Sequence, residues 1–308
     1  MFLLPGKSFS GRPPPLSSED RSCADRLGAD LEVLVRNFGP RHLGGREQAL
    51  SEAAEWLERR LEEAGLAPHR ERFQAGTTKV FNVLAEPPGA SPEAPVLIVG
   101  AHYDTVPGSP GANDNGSGVV TVLELARRFA RRPTQRRLRF ALFVNEEAPW
   151  FMSPSMGSLV HAQGCRKRGE RVSGMLCLES VGVYIDLPGS QRYPPPLEQL
   201  YPDRGDFVAF VGNLASRRLL WGSIGAFRAR ACLPSEGLLA PEWALRDIGR
   251  SDHKAFWGCG YPAVMLTDTA NFRDAWYHTP LDRPGNLDLE SMARLIDGLE
   301  AVILDRIG

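Results

Sequence analysis

The sequence predicts an α/β protein: a single domain with a mostly parallel, mixed β-sheet flanked by helices on both faces. Three observations lead there. Short, continuous apolar runs rich in β-branched residues alternate with segments of helical apolar spacing, which is the order that α/β architecture requires. The runs Val96-Leu97-Ile98-Val99 and Phe140-Ala141-Leu142-Phe143-Val144 have no polar alternation, so they suit strands covered on both faces. The length of 308 residues, with 43% apolar content, is enough for one full core.

From the N-terminus, Ser8 to Ser18 is rich in Pro, Gly and Ser, and residues 1–24 read as an extended arm ahead of a domain spanning 25–308. Asp25 to Phe38 and Gln48 to Glu63 carry helical apolar patterns, the second closed by Gly65. His69 to Phe73 and Lys79 to Ala85, with Gly76 between them, predict a hairpin. The strand at Val96 follows, then a helix over Val119 to Ala130, a strand over Leu138 to Asn145, a helix over Ser155 to Ala162 and a strand over Gly174 to Glu179. A proline-rich loop over Asp186 to Asp206 is expected to form a wall or lid. Ser251-Asp252-His253 opens a short helix, Pro262 to Leu266 is a strand, and Leu289 to Ile307 is the closing helix.

Composition excludes some functions. With 36 basic and 37 acidic residues the formal charge is -1, so no global field favours nucleic acid or an anionic membrane. The basic run from Arg127 to Arg139 reads as a solvated surface. Five cysteines without a C-x-x-C pair supply neither a zinc ribbon nor a thiol redox motif. No apolar run approaches the roughly 18 residues of a membrane span, and Met1 to Gly6 is too short for a signal peptide. The chain as given reads as soluble, with its compartment and oligomeric state open.

The chemistry gathers at strand ends. The run Val96–Val99 leads through Gly100-Ala101 to His102-Tyr103-Asp104, and the ligand crevice of an open α/β sheet lies at the carboxyl ends of its strands. Gly111-Ala112-Asn113-Asp114-Asn115-Gly116-Ser117-Gly118 forms a tight polar loop able to carry Asp114 inward. Two more strands end in acids, at Glu146-Glu147 and at Glu179. Adjacent residues leaving a strand point in different directions, so Glu146 and Glu147 can divide the work of proton carrier and metal ligand. His278 is the candidate last ligand, while His253 is assigned a structural part.

Together these residues resemble the co-catalytic zinc peptidases that include bacterial leucyl aminopeptidases, aminopeptidase Y and glutaminyl cyclases. The resemblance runs from near Lys79 to the C-terminus, through His102-x-Asp104, Gly111-Ala112-Asn113-Asp114-Asn115-x-Ser117-Gly118, Glu146-Glu147, Glu179, Ser251-Asp252-His253 and His278-Thr279-Pro280-x-Asp282. It implies a zinc exopeptidase-like fold and two zinc ions: one held by His102, Glu147 and Asp114, the other by Asp114, Glu179 and His278. Asp104 would then orient His102, and Glu146 would act as base. The expected reaction is removal of N-terminal residues from peptides by a hydroxide bridging the two ions. A carboxylate can bridge ions roughly 3.5 to 4 Å apart, and imidazole and carboxylate suit zinc.

Two other enzyme readings use the same metals: a deacylase or carboxypeptidase, since His102-Tyr103-Asp104-Thr105-Val106-Pro107 resembles their opening motif, and a glutaminyl cyclase. Outside enzymes, the alternative is a binding module that retains only the fold. Trp150, Phe151, Tyr277 and Met265 are candidates for an apolar wall beside the site.

Overall fold

The computed structural model describes residues 4–195 and 197–307; Met1 to Leu3, Pro196 of the proline-rich loop and Gly308 lie outside that set. Eight strands form one mixed sheet in the order β1-β2-β4-β3-β5-β8-β6-β7. They are β1 (His69–Ala75), β2 (Thr78–Ala85), β3 (Val96–His102), β4 (Arg137–Phe143), β5 (Val172–Glu179), β6 (Val208–Gly212), β7 (Ser235–Leu239) and β8 (Ala263–Thr267). The centre is parallel: β3 pairs in parallel with β4 and β5, and β5 with β8. Antiparallel pairings join β1 to β2, β2 to β4 and β6 to β8.

Helices α1 (Ser18–Val33), α2 (Glu47–Glu63), α3 (Gly118–Phe129), α5 (Arg217–Arg230) and α7 (Leu289–Ile307) supply the main core, on the face that receives Leu97, Val99 and Ala101 of β3. Val96 and Ile98 point the other way, into a second core shared with α4 (Gly157–Lys167) and α6 (His253–Gly258). The alternation explains the unbroken apolar run: a strand sandwiched between helices must be apolar on both faces. In α3, Val119, Val122, Leu125, Ala126 and Phe129 are fully buried. Each of the larger ones contributes about 1.5–3 kcal/mol relative to exposure.

Two expectations are corrected. The first helix begins at Ser18 rather than Asp25, because Ser17 and Asp20 form a reciprocal capping box that extends it into the predicted arm. What precedes Ser17 is laid on the domain: Ser8 Oγ accepts from Ser235 N, Arg228 donates to the carbonyls of Pro5 and Gly6, and Arg294 donates to Pro14. The basic run from Arg127 to Arg139 is also less solvated than expected. Arg128 is buried against Asp297 and Glu300, and Arg139 is 5% exposed and ion-paired with Glu86 and Glu170.

Candidate metal centre

The carboxyl ends of β3, β4 and β5 deliver their polar residues to one crevice. His102 is the last residue of β3, Glu146 and Glu147 follow β4, and Glu179 ends β5. The turns are sharp: Asn145 (φ 61°), Ser180 (φ 47°) and His278 (φ 61°) all occupy the left-handed region that non-glycine residues rarely adopt. Such conformations are held only where surrounding contacts over-determine them.

The loop from Gly111 to Gly118 is pinned at almost every polar atom. Asn115 donates to the carbonyl of Leu178 and accepts from Ser180 N, which stitches the loop to the end of β5. Asn113 donates to Asp268 and Asp274 and accepts from Gly182 N, while Ser117 Oγ accepts from Val181 N. Glycine is required at both ends: a Cβ on Gly111 would lie 2.4 Å from Thr105 Cγ2, and one on Gly118 would lie 2.6 Å from the carbonyl oxygen of Leu178.

Asp114, thus held, is contacted by an imidazole at each oxygen. Its Oδ1 is 3.3 Å from His102 Nε2, and its Oδ2 is 2.9 Å from His278 Nε2. His102 Nε2 is also 3.2 Å from Glu179 Oε2, and His278 Nε2 is 3.5 Å from Glu147 Oε1. Glu146 Oε2 stands at 3.8 Å from His102 Nε2. His102, Asp114 and Glu147 each offer one ligand atom, all within 4.8 Å of one another. Every one of the seven residues singled out in the sequence therefore lies in this cluster or directly against it.

The donor set fits divalent cations. Asp114 Oδ1 and Glu147 Oε1 are buried and lack a hydrogen-bond partner, as are both oxygens of the neighbouring Asp252. Buried acids in this state are costly unless a positive charge sits among them. His102 Nδ1 donates to the main-chain carbonyl of Asp104 at 3.2 Å, which turns Nε2 toward the acids.

The proton affinities of these groups follow from the same crowding. Burial, with Glu147, Glu179 and Asp252 nearby, pushes Glu146 well above the usual carboxylate range. Burial and Asp114 push Glu147 up to about 7. Burial alone would raise Asp114 too, but the imidazoles of His102 and His278 beside it hold it below its ordinary value. Burial disfavours the charged form of His278, yet the carboxylates of Asp114 and Glu147 beside it raise it to about 10.

Several further residues support the cluster; of these, Arg41 carries no sequence expectation. Asp282 accepts from the main-chain N–H groups of Asn113 (2.7 Å) and Asp114 (3.1 Å). Asp104 does the same for Glu146 (3.0 Å) and Glu147 (3.1 Å), so its carboxylate grips the base-bearing turn, while its Oδ1 stands 3.6 Å and its carbonyl 3.2 Å from His102 Nδ1. Arg41 is wholly buried and donates to the carbonyls of Tyr103, Gly39, Pro110 and Gly111. Ser251 Oγ donates to Glu179 Oε2 at 2.6 Å. His253 is structural as expected, with Nε2 2.6 Å from the carbonyl of Ile248.

A largely apolar pocket opens from Glu179 and runs over β8, β6 and β7, with the 186–206 loop as one wall through Gln191, Tyr193 and Tyr201. Tyr277 lines it, as expected; Met265, also packed in the core, lines it too, while Trp150 and Phe151 are not among its lining residues.

Fold and site define a zinc exopeptidase-like α/β protein. Residues 82–200 match the family described as peptidase family M28. An uncharacterized protein of Escherichia coli K12, YfbL, is 32% identical over 292 residues, which cover 92% of this chain and 88% of that protein. The aminopeptidase YwaD of Bacillus subtilis is 28% identical over 221 residues, 69% of this chain and 41% of its own length. In fold, the chain is similar to BSAP, a zinc aminopeptidase from Bacillus subtilis, with TM-score 0.74 at 16% identity, covering 92% of this chain and 95% of that one. The chain belongs to peptidase family M28, and it is a peptidase on that ground.

Proposed function

We propose that the chain is an aminopeptidase that uses two zinc ions, divided as the resemblance implies: one held by His102, Glu147 and Asp114, the other by Asp114, Glu179 and His278. Two observations support this reading: His102, Asp114 and Glu147 each offer a ligand atom within 4.8 Å of the others, and the two oxygens of Asp114 face different imidazoles, those of His102 and His278. The side chains of the two groups also approach one another, His102 Nε2 toward Glu179 and His278 Nε2 toward Glu147. Two bound ions would supply Lewis acidity toward the scissile carbonyl and would lower the pKa of water.

The chain's own residues do the rest. Glu146 is buried and is no member of either triad, so its carboxylate is free to take the proton of the attacking water and return it to the leaving amine. Burial raises its proton affinity in the direction that return step needs. Asp104 fixes where Glu146 points by holding its main-chain N–H, and Asp282 fixes Asp114 in the same way. The acids at the crevice favour a substrate amine over a substrate carboxylate, which selects N-termini.

The testing variant is Glu146→Gln, which keeps shape and loses the base. Turnover of peptides with a free N-terminus should fall by about 10²–10⁴-fold, with two zinc ions per chain still counted by elemental analysis. A variant that remains active, or one that loses metal, removes Glu146 from the role of base. Equal cutting of free and N-acetylated peptides would point to a deacylase or endopeptidase, and pyroglutamate formation from glutaminyl peptides to a cyclase.

A further inference from the structure

The floor of the pocket beside Glu179 is a transverse row of the sheet. Glu179 is in register with Thr267 of β8, Thr267 with Ala209 of β6, and Ala209 with Glu236 of β7. Cross-strand partners face the same side, so all four side chains point into the face that carries the pocket. Three strand spacings of about 4.8 Å place the backbones of Glu179 and Glu236 about 14 Å apart, with the small Ala209 leaving the space between them open. Glu179 and Glu236 both line the pocket, at its two ends.

Glu236 is otherwise unexplained. It is half-buried among Tyr193, Tyr201 and Leu238, and it has no hydrogen bond or ion pair among the described residues. The cations nearby make their hydrogen bonds elsewhere. Arg228 attracts Glu236 through space, opposed by the like charge of Asp206, but donates to Ser235 and to the N-terminal arm; Arg250 donates to Asp247 and Asn271, and Arg192 to the carbonyl of Asn271. Tyr201 spends its hydroxyl proton on Gly237, and Tyr193 on Pro202. A carboxylate at the end of an apolar pocket, without a hydrogen-bond donor from the protein, is placed to meet a donor that the ligand brings.

We propose that Glu236 is a specificity-determining residue: the pocket takes the side chain of the substrate's first residue, and Glu236 selects one with a long apolar stem and a cationic tip, arginine or lysine. This rests on the aminopeptidase reading, which puts the substrate amine at the Glu179 end. The stem of either side chain would lie along Met265 and Ala209, and its charged head would reach a carboxylate that a leucine or methionine leaves bare. A purely apolar pocket would rank substrates by size alone, whereas this one should separate side chains of equal length by charge.

The test is a set of aminoacyl p-nitroanilides in pairs matched in shape but not in charge, arginine against citrulline and lysine against norleucine, hydrolysed by the zinc-loaded enzyme and by Glu236→Gln. The wild-type enzyme should prefer each cationic member at least tenfold in kcat/KM, and the variant should reduce that ratio tenfold or more. Equal handling of arginine and citrulline by the wild type, or a ratio unmoved by the substitution, overturns the proposal while leaving the aminopeptidase reading intact. If no substrate with a free amine is cut, that reading fails separately. Thermal stabilisation by argininamide against citrullinamide then decides the pocket: a larger, Glu236-dependent shift with argininamide supports it, and equal shifts overturn it.

Discussion

At the scale of single residues, the site is organised by carboxylates that hold backbone rather than metal. Asp104 and Asp282 each accept two consecutive main-chain N–H groups, and each pair belongs to a segment carrying chemistry: Glu146 with Glu147, and Asn113 with Asp114. Burial pushes Asp282 up to about 7, and the N–H groups of Asn113 and Asp114 pull against that rise. Asp282→Ala should therefore loosen Asp114 without removing a ligand. Losing a group that orients a ligand costs about 10–100-fold in metal affinity, which a zinc titration with a competing chelator measures. Affinity within twofold of wild type would show that Asp114 is held by its other contacts.

His253 provides a second test at this scale. It is buried, lies edge-on to Trp257 at 4.5 Å, and burial lowers its pKa to about 4 from an ordinary 6.5. The folded state therefore binds its proton less readily than the unfolded chain does. Its contribution is fully present above pH 6.5 and is lost as pH falls from 6.5 toward 4, on the order of 3 kcal/mol by the lower end. Urea unfolding at pH 7 and pH 4.5 should show a smaller drop in stability for His253→Phe than for the wild type. Identical drops would mean that His253 titrates normally.

At the scale of elements, β4 shows why strand pattern alone misreads a charge. Arg137 and Arg139 alternate with Leu138 and Phe140 on a strand flanked by helices, and both arginines are drawn into a network with Glu86 and Glu170. Glu170→Gln leaves Arg139 with Glu86 as its carboxylate partner. Breaking a fully buried pair costs about 3–5 kcal/mol. Because Glu170 is partly exposed and Glu86 remains, about 2 kcal/mol is expected here, read as a lower urea midpoint at unchanged slope. A loss below about 0.5 kcal/mol would place the pair with ordinary surface bridges.

The same elements show what the sequence made legible. Strands ending in His102, Glu146-Glu147 and Glu179 were readable because a buried strand has to be apolar and its first polar residue marks where burial stops. His278 has no strand to announce it and was reached through the motif around it. Which glutamate faces which histidine depends on turns at Asn145 and Ser180, where a left-handed φ redirects the side chains, and no periodicity encodes that. Arg41 was invisible because three of its four acceptors, the carbonyls of Tyr103, Pro110 and Gly111, become neighbours only on folding. The stretch containing β6, α5 and β7 carried no expectation: its strands are five residues each, too short to give a period.

At the scale of the whole molecule, the sheet has two ends of different character. β1 closes one with a polar hairpin, whereas β7 closes the other with Ser235, Gly237 and Leu238, a short strand with little charge. The N-terminal arm lies across that end: a Cβ on Gly237 would meet Leu4 at 2.8 Å, and Ser8 takes the N–H of Ser235. An open strand edge is a template for another chain. A version of the protein starting at Pro13 should keep its fold, since the capping box at Ser17 is untouched, yet light scattering should show it forming concentration-dependent assemblies that the full chain does not. The arm would then act as a guard against self-association, and adding a separate peptide of residues 1–12 would be expected to slow that growth.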